Sequence, residues 1–316
     1  MNFGSPIFIG LDGGGSRTRA IVVDEKLDLL GRAESDASNY LRVGVEAATS
    51  SLRSAIVGAL REAGREESDV EWAYCGIAGS DHPVNQQILT DVMKEILPSG
   101  DFTIDSDARI ALEGSIPEGP GVVVISGTGS VAFGRDESGM VARAGGWGPT
   151  LGDEGSGYAI ARAGMTAIVR SSDGRGPQTI IGEILCRDHG LCSPADLRMF
   201  IYSDESDASR IAKLNQVVID AARQDDHVAL WILEDAGSEL ALSALAVARK
   251  LDLLDGAFRV SYVGGVFRAG ALLLDPFSRE LAISAPECTI HPPDAEPVIG
   301  AARLAIETWR SRSELN

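Results

Sequence analysis

A glycine-rich stretch in the middle of the chain constrains the possible folds more than any other feature. Residues 122–153 read VVVISGTGSVAFGRDESGMVARAGGWGPTLGD. The unbroken β-branched run from Val122 to Ile125 predicts a buried strand. A glycine turn, a second strand and a second glycine cluster follow. Because glycine has no Cβ, backbone N–H groups there can approach a ligand closely. Such loops suit a ligand with phosphates on one side and sugar-like hydroxyls on the other.

A similar strand, glycine turn and strand occur near the N-terminus. Residues 7–11 predict a buried strand that ends at Asp12, three glycines follow, and residues 20–23 predict the next strand. Because β-branched residues resume within a few positions, this loop does not open a helix as a Rossmann or Walker loop would. Helical periodicity predicts helices over 45–63, 84–97, 156–169, 178–188, 194–201, 209–224, 229–251 and 297–310.

The two similar halves predict a duplicated α/β fold with a cleft between the halves and a boundary near 117–121. The final helix is expected to cross back to the first half, because the termini of compact chains often lie together. We also expect the cleft to close when substrate binds, because closure excludes water.

Composition excludes several classes of partner. The chain has 316 residues, with 46 Asp and Glu against 28 Lys and Arg, and a formal net charge of −18. This charge repels nucleic acid and anionic membrane surfaces, so we expect neither as a partner. The apolar runs are too short to cross a membrane, and the N-terminal residues lack the basic region of a signal peptide. Four cysteines in a chain of this length do not predict a disulfide framework. We therefore expect a cytoplasmic protein with reduced cysteines.

Four motifs, in this order, resemble one family: Asp12–Gly–Gly–Gly–Ser16, Ser126–Gly–Thr–Gly–Ser130, Gly145–Gly–Trp–Gly148 and Gly152–Asp–Glu–Gly–Ser156. Together they are similar to the BadF/BadG/BcrA/BcrD ATPase family and, within it, to N-acetylglucosamine kinases. The resemblance covers nearly the whole chain. It implies an α/β, duplicated actin-like (ribonuclease H-like) ATPase fold of two lobes. The N-terminal lobe would span 1–117, with the helix 297–316 packed on it, and the C-terminal lobe 118–296.

The resemblance also implies an activity, the ATP-dependent phosphorylation of an amino sugar at its 6-hydroxyl, with ATP and Mg²⁺ as cofactors. N-acetylglucosamine is the expected substrate and glucosamine is the alternative. Relatives commonly form homodimers. Two alternatives of other classes are an ATPase that activates a partner redox enzyme and a non-catalytic sugar-sensing regulator. The cysteine pattern disfavours the first, and the presence of Asp107 disfavours the second.

The matching motifs imply roles for individual residues. Asp107 would be the catalytic base and would contact the sugar, and Asp12 would position Mg²⁺. The implied cofactor-binding residues are Gly13, Gly14, Gly15, Ser16, Thr18, Gly127, Thr128, Gly129, Gly264 and Gly265. The implied sugar-binding residues are Asn39, Ser130, Gly146, Trp147, Gly148 and Asp153.

Several of these residues also have an ordinary structural interpretation. Asp107 and Asp153 could cap the helices that follow them, since aspartate is a favoured N-cap. Asn39 could be a turn residue. Trp147 could belong to the core. The remaining candidates, Asp12, Ser16 and Thr128, could end a strand or line an ordinary turn.

A different cluster, Cys186, His189 and Cys192, has a spacing found in some zinc sites. We do not expect a metal there, because no fourth ligand lies near these residues in the sequence.

Overall fold

The computed structural model describes residues 5–98, 100–203 and 207–313. Contacts between Cα atoms divide the chain into two compact units. Unit 1 consists of residues 1–118 and 293–316, and unit 2 consists of residues 119–292. Within the described residues, none of the helices is long and apolar enough to span a membrane.

Each unit contains one five-stranded sheet. The strands of unit 1 are β1 (Ile7–Gly13), β2 (Thr18–Val23), β3 (Leu29–Ser35), β4 (Val70–Ile77) and β5 (Phe102–Asp105). The strands of unit 2 are β6 (Gly121–Ser126), β7 (Ser130–Arg135), β8 (Val141–Gly145), β9 (Arg259–Val263) and β10 (Thr289–His291).

Twelve α-helices connect or cover these strands in the described part of the chain. They are α1 (Tyr40–Val43), α2 (Val45–Ala63), α3 (Pro83–Ile96), α4 (Asp107–Ser115), α5 (Gly157–Ser172), α6 (Ile181–His189), α7 (Pro194–Ile201), α8 (Ala208–Ala212), α9 (Asn215–Ala222), α10 (His227–Lys250), α11 (Ala271–Ser284) and α12 (Pro297–Ser313). Two 3₁₀ turns, Glu67–Asp69 and Gly265–Ala269, complete the structure.

The two sheets share one topology. The strand order is β3-β2-β1-β4-β5 in unit 1 and β10-β9-β6-β7-β8 in unit 2, which is the same order when read from the opposite edge. In each sheet the first three strands form an antiparallel meander, and the last two run parallel to the first. This shared order confirms the predicted duplication of an α/β fold.

Strand β1 is buried on both faces, which explains its continuous apolar sequence. Ile7, Ile9 and Leu11 pack into a core with α2 and α3, whereas Phe8 points to the other face and packs with α4 and α12. A Cβ on Gly10 would lie 2.4 Å from the carbonyl oxygen of Val298, so glycine is required where α12 crosses the sheet. The last helix therefore belongs to the core of unit 1.

Unit 2 has one core, in which α10 packs across β6, β7 and β8 and against α11. Helices α5 to α9 add to the same core, with α5 and α9 packed against α10. The predicted helix 209–224 is wrong in one respect, because the structure divides it into α8 and α9. The Asn215 side chain donates to the carbonyl oxygen of Ala212 at this break, which the helical pattern does not reveal.

Candidate active site

The β1–β2 loop of unit 1 is tied to the segment that begins α1. The carbonyl oxygen of Gly14 accepts from the backbone N–H groups of Ser38 (3.1 Å) and Asn39 (3.3 Å). A Cβ on Gly13 would lie 2.7 Å from the Ser38 hydroxyl oxygen, so a larger residue would not fit there. The structure therefore brings the first glycine loop and Asn39 together within unit 1.

The two ends of the Asn39 side-chain amide differ in whether the fold uses them. Its Oδ1 accepts from the Leu41 N–H (3.2 Å) and caps α1, so the turn interpretation is confirmed in part. Its NH₂ group donates to no described residue and is half-buried, so it remains available to a ligand.

Ser38 is a site residue that the sequence did not predict. It is fully buried, and its hydroxyl has no hydrogen-bond partner among the described residues. A buried hydroxyl without a partner is unusual in proteins and draws attention to the space beside Gly13. No sequence pattern marks Ser38, because its burial depends on the loop that Gly14 holds over it.

Ser16 and Gly15 lie at the exposed tip of the same loop. Ser16 makes no hydrogen bond with its hydroxyl among the described residues. The Arg42 guanidinium donates to the carbonyl oxygen of Gly15 (3.3 Å), and a Cβ on Gly15 would lie 2.9 Å from Arg42 Nη1. A cation thus lies directly beside the first glycine loop, another feature that the sequence did not indicate.

Two carboxylates meet at the carboxyl edge of the unit 1 sheet. Asp12 is at the end of β1, and Asp107 begins α4 immediately after β5, which runs parallel to β1 on the far side of β4. The pKa of Asp12 is raised to about 6, mainly by burial and then by the charges of Asp107 and Glu296, whereas Arg19 acts to lower it. The site therefore carries an excess of negative charge, which a divalent cation would neutralise.

Asp107 does not cap α4, so the structural interpretation of this residue is wrong. The N-cap is Ser106, whose hydroxyl accepts from the Arg109 N–H (3.2 Å). Asp107 occupies the first helical position, where its Oδ1 accepts from the N–H of Ala108 (3.0 Å). Its half-buried carboxylate is therefore not used as the helix cap, and its charge influences Asp12.

The β6–β7 turn of unit 2 contains the second glycine loop. Gly127 N–H donates to the Gly129 carbonyl (2.9 Å), which closes the turn. The N-terminus of α5 contacts the same turn, because Gly157 N–H donates to the Gly127 carbonyl (2.8 Å) and Tyr158 N–H to the Thr128 carbonyl (3.3 Å). The Thr128 hydroxyl has no hydrogen-bond partner among the described residues.

Asp153 joins two glycine loops within unit 2. It is 6% exposed, has a φ of 60° and accepts from the Gly148 N–H (3.2 Å). A Cβ on Gly129 would lie 2.5 Å from Asp153 Oδ2, so glycine is needed at this contact. Burial raises the pKa of Asp153, although the backbone N–H groups of Gly148 and Ser130 lower it. Helix α5 is capped by Ser156, so the prediction that Asp153 could be its cap is wrong.

The Trp147 loop is exposed rather than part of the core. Trp147 is 72% exposed, which contradicts the core interpretation. Arg143 lies 5.9 Å from the centroid of its ring and donates to the Gly146 carbonyl (2.7 Å). The loop thus presents an aromatic face next to the segment that carries Asp153.

Two hydroxyls assigned by resemblance are used within the fold. Thr18 is fully buried and donates to the Asp36 carbonyl (2.7 Å). Ser130 is 8% exposed and donates to the Glu154 carbonyl (2.7 Å). The side chains of Thr18 and Ser130 therefore help to hold their loops in place. Each hydroxyl oxygen can still accept a hydrogen bond, so their assignment as ligand-binding residues stays a prediction.

Gly264 and Gly265 follow β9 beside the end of β6. Gly264 has a φ of 119°, and a Cβ there would lie 2.1 Å from the carbonyl oxygen of Ser126. Glycine is required at this position for packing, whatever its role in binding. The exposed Gly265 continues into a 3₁₀ turn, where Arg268 donates to its carbonyl (3.3 Å).

The cysteine expectations are corrected for one pair. Cys186 and Cys192 form a disulfide that joins α6 to the residues preceding α7, whereas Cys75 and Cys288 are free. In the part of the chain that the structure describes, no group of three or more His, Cys, Asp or Glu side chains is placed to hold a metal ion. In this disulfide, Cys186 and Cys192 have no thiolate to offer a metal.

Comparison with known sequences gives full-length relatives. The chain is 33% identical over 297 residues to the N-acetylmuramic acid/N-acetylglucosamine kinase of Clostridium acetobutylicum, covering 94% of this chain and 97% of that protein. It is 31% identical over 313 residues to the N-acetyl-D-glucosamine kinase of Dictyostelium discoideum, covering 96% of this chain and 98% of that protein.

A solved structure extends this similarity to the fold. A Chromobacterium violaceum protein provisionally assigned as an N-acetylglucosamine kinase matches with a TM-score of 0.79 and 26% identity, over 95% of this chain and 99% of that chain. The model of the BadF/BadG/BcrA/BcrD ATPase family matches residues 9–305. The chain therefore belongs to the BadF/BadG/BcrA/BcrD ATPase family.

Proposed function

We propose that this protein transfers the γ-phosphoryl group of ATP to the 6-hydroxyl of N-acetylglucosamine. ATP use follows from membership of an ATPase family. The substrate is inferred from relatives that are N-acetylglucosamine kinases at 31–33% identity over nearly the full chain. The two lobes of the proposed kinase, 1–117 with 297–316 and 118–296, would correspond to unit 1 (1–118 and 293–316) and unit 2 (119–292).

The single observation that carries the proposal is the pair of carboxylates, Asp12 and Asp107, at one edge of the unit 1 sheet. Phosphoryl transfer depends on positioning and charge neutralisation more than on covalent chemistry. Asp107 would accept the proton of the sugar 6-hydroxyl as its oxygen attacks the γ-phosphorus and ADP leaves.

The residues around Asp12 fit Mg²⁺. Magnesium keeps several waters and uses one or two carboxylates together with substrate phosphates, so a full protein cage is not needed. Asp12 would hold the ion, since this buried carboxyl lies in the field of Asp107 and Glu296, where added positive charge is favourable. When bound, the metal neutralises charge on the phosphates.

The glycine loops would hold the nucleotide. The hydroxyls of Ser16 and Thr128 make no hydrogen bond with any described residue and can donate to phosphate. The backbones of residues 13–15 and 127–129 offer N–H groups. Local donors are needed because the chain as a whole is acidic and would repel ATP. Gly264 and Gly265 would contact the adenosine.

Each unit carries residues that we propose to contact the sugar. Asn39 offers its NH₂ group, and Asp153 offers a buried carboxylate. Trp147 offers an apolar face, with Gly146 and Gly148 on either side of it. A small number of fixed polar groups beside an aromatic surface is typical of small-molecule sites.

The test is an assay of ADP release over a panel of N-acetylglucosamine, glucosamine, N-acetylmuramic acid and glucose. The proposal predicts release that depends on sugar and is fastest with N-acetylglucosamine. Faster turnover of glucosamine would select the alternative substrate. Sugar-independent release would indicate an ATPase activator, and sugar binding without release would indicate a regulator.

Location and assembly complete the proposal. We propose that the protein is cytoplasmic, because ATP and phosphorylated sugars are retained in the cytoplasm. We also propose that it is a homodimer, as the family resemblance implies. The disulfide between Cys186 and Cys192 is unusual for a cytoplasmic protein, since disulfides are rare in that compartment. Sedimentation of the purified protein measures the dimer directly.

A further inference from the structure

A groove in unit 2 has a lining that the proposed kinase reaction does not use. It lies between α5 and α7 and has a volume of about 870 Å³. Sites for small organic ligands typically enclose about 300–1,000 Å³. The groove is thus large enough for a ligand of that kind.

The charge of the groove is opposite to that of the chain. Four arginines line it, Arg162, Arg170, Arg175 and Arg198, and none of the described lining residues is Asp or Glu. In a chain of net charge −18, such a concentration of positive charge is exceptional. A concave surface of one sign focuses its field and attracts ligands of the opposite sign.

The arginines differ in how far their charge is compensated. Arg175 is paired with Asp173 at 2.6 Å, and Arg170 donates to the carbonyl oxygen of Arg175 (3.3 Å). The guanidinium groups of Arg162 and Arg198 make no hydrogen bond or ion pair with any described residue. These two groups, on facing helices, can donate to an anion, and Arg162 also borders a smaller cavity that Glu154, Asp235 and Glu239 line.

The rest of the groove is apolar. Leu197 and Ile211 are buried beneath it, and Met165 and Val169 lie along the same face of α5 as Arg162. Tyr202, which is 83% exposed, stands at the rim. A ligand here would therefore contact cations at one end and an apolar or aromatic surface at the other.

We propose that the groove is a binding site for a phosphorylated small molecule that carries a flat or apolar group, such as a nucleoside diphosphate. Arg162 and Arg198 bind the phosphates, because a guanidinium donates two parallel hydrogen bonds to phosphate oxygens. The apolar wall and Tyr202 bind the flat group. This site is separate from the residues assigned to ATP and sugar, and it does not depend on the proposed function.

The test is calorimetric titration with cytidine 5′-diphosphate, whose base differs from that of the ATP consumed. The wild-type protein is expected to bind it, and the double variant R162Q/R198Q is expected to bind at least tenfold more weakly. The control R223Q removes an arginine of unit 2 that is paired with Asp220 outside the groove and should bind as the wild type does.

Further titrations separate the parts of the site. Y202A should weaken binding of cytidine 5′-diphosphate severalfold while leaving binding of inorganic pyrophosphate unchanged, and cytidine alone should not bind. Kinase turnover of R162Q/R198Q should equal that of the wild type, so loss of kinase activity and loss of this site are distinguishable.

Unchanged nucleotide binding in R162Q/R198Q, or no binding by the wild type, would overturn the proposal. Tighter binding of hexaglutamate would also overturn it, by indicating a peptide surface.

Discussion

At the residue scale, Asp12 shows a conflict between stability and function. Its carboxyl has an ordinary pKa of 3.8 in the unfolded chain and about 6 in the fold. Between these values the folded state binds more protons than the unfolded state, so stability falls as the pH rises through this window. Above pH 6 the full destabilisation of the folded state remains, because a charged Asp12 is buried and lies near other carboxylates.

Replacing Asp12 by Asn should therefore stabilise the metal-free protein at pH 7.5 by about 1–3 kcal/mol. The gain should shrink toward zero as the pH falls from 6 to 4, where the wild-type carboxyl becomes protonated. Thermal unfolding in EDTA measures it, with the exposed Asp28→Asn as the control. The same variant should lose kinase activity, and a gain that is independent of pH would contradict this account.

Two glycines that resemble each other in the sequence should respond differently to alanine. Gly264→Ala places a Cβ 2.1 Å from the Ser126 carbonyl oxygen at a φ of 119°, so it should destabilise unit 2 by about 2 kcal/mol or more. A Cβ on Gly127 meets no atom within 4 Å, so Gly127→Ala should change stability by less than about 0.5 kcal/mol.

Gly127→Ala should nevertheless weaken ATP binding, because the added methyl group enters the space proposed for phosphate. Thermal unfolding and ATP titration of both variants separate packing from binding. Equal destabilisation by the two substitutions would show that both loops are merely structural.

Residue types in the site could be predicted from the sequence, but the orientation of individual side chains could not. Ser106 and Asp107 are both good N-caps, and only the geometry shows that Ser106 is the cap and that Asp107 is the first residue of the helix. The same holds for Ser156 and Asp153. The hydroxyl of Thr18 points into the fold because Asp36 offers it a carbonyl from a neighbouring segment.

At the scale of elements, Asp226 joins the start of α10 to the start of α6. Its carboxylate caps α10 through the Ala229 N–H (2.9 Å) and also accepts from Thr179 Oγ1 (3.1 Å) and the Ile180 N–H (2.8 Å). Hydrogen bonds to a charged group contribute more than neutral ones, and unsatisfied donors would remain in its absence.

Asp226→Ala should therefore destabilise the protein by about 2–4 kcal/mol. Asp188→Ala, which removes an exposed carboxylate paired with Arg187, should cost less than about 1 kcal/mol. Urea denaturation followed by circular dichroism compares the two. A small effect of Asp226→Ala would mean that α6 and α10 are held together by their apolar contacts alone.

Long, strongly periodic elements could be predicted, whereas short and irregular ones could not. Helix α2 has the bounds that its apolar spacing predicts. Strand β8 was not predicted, because its sequence VARAG lacks a run of large β-formers. Its antiparallel pairing with β7 stabilises the extended conformation that its local propensity does not favour. The disulfide between Cys186 and Cys192 was also missed, since spacing alone does not determine pairing.

At the scale of the whole molecule, the duplicated fold was predictable because its signal is repeated. Each half has a strand, a glycine turn and a strand in the same order, and the two sheets have the same topology. In the proposed kinase reaction, water must be excluded from the phosphoryl group during transfer.

We therefore predict that N-acetylglucosamine draws the two units closer together. Small-angle scattering should show a smaller radius of gyration with saturating N-acetylglucosamine than without it, and no change with a sugar that is not phosphorylated. A radius that stays constant on saturation would count against closure.

The most direct test of the central claim is the turnover of Asp107→Asn with ATP and N-acetylglucosamine, measured beside its affinity for ATP. A general base contributes about 10²–10⁴-fold to a rate, so kcat should fall by at least about 100-fold while the Kd for ATP stays within about threefold. Asp101→Asn, an exposed residue of unit 1 that pairs with Arg312, should turn over as the wild type does. A folded Asp107→Asn variant with near-normal kcat would contradict the assignment of Asp107 as the base.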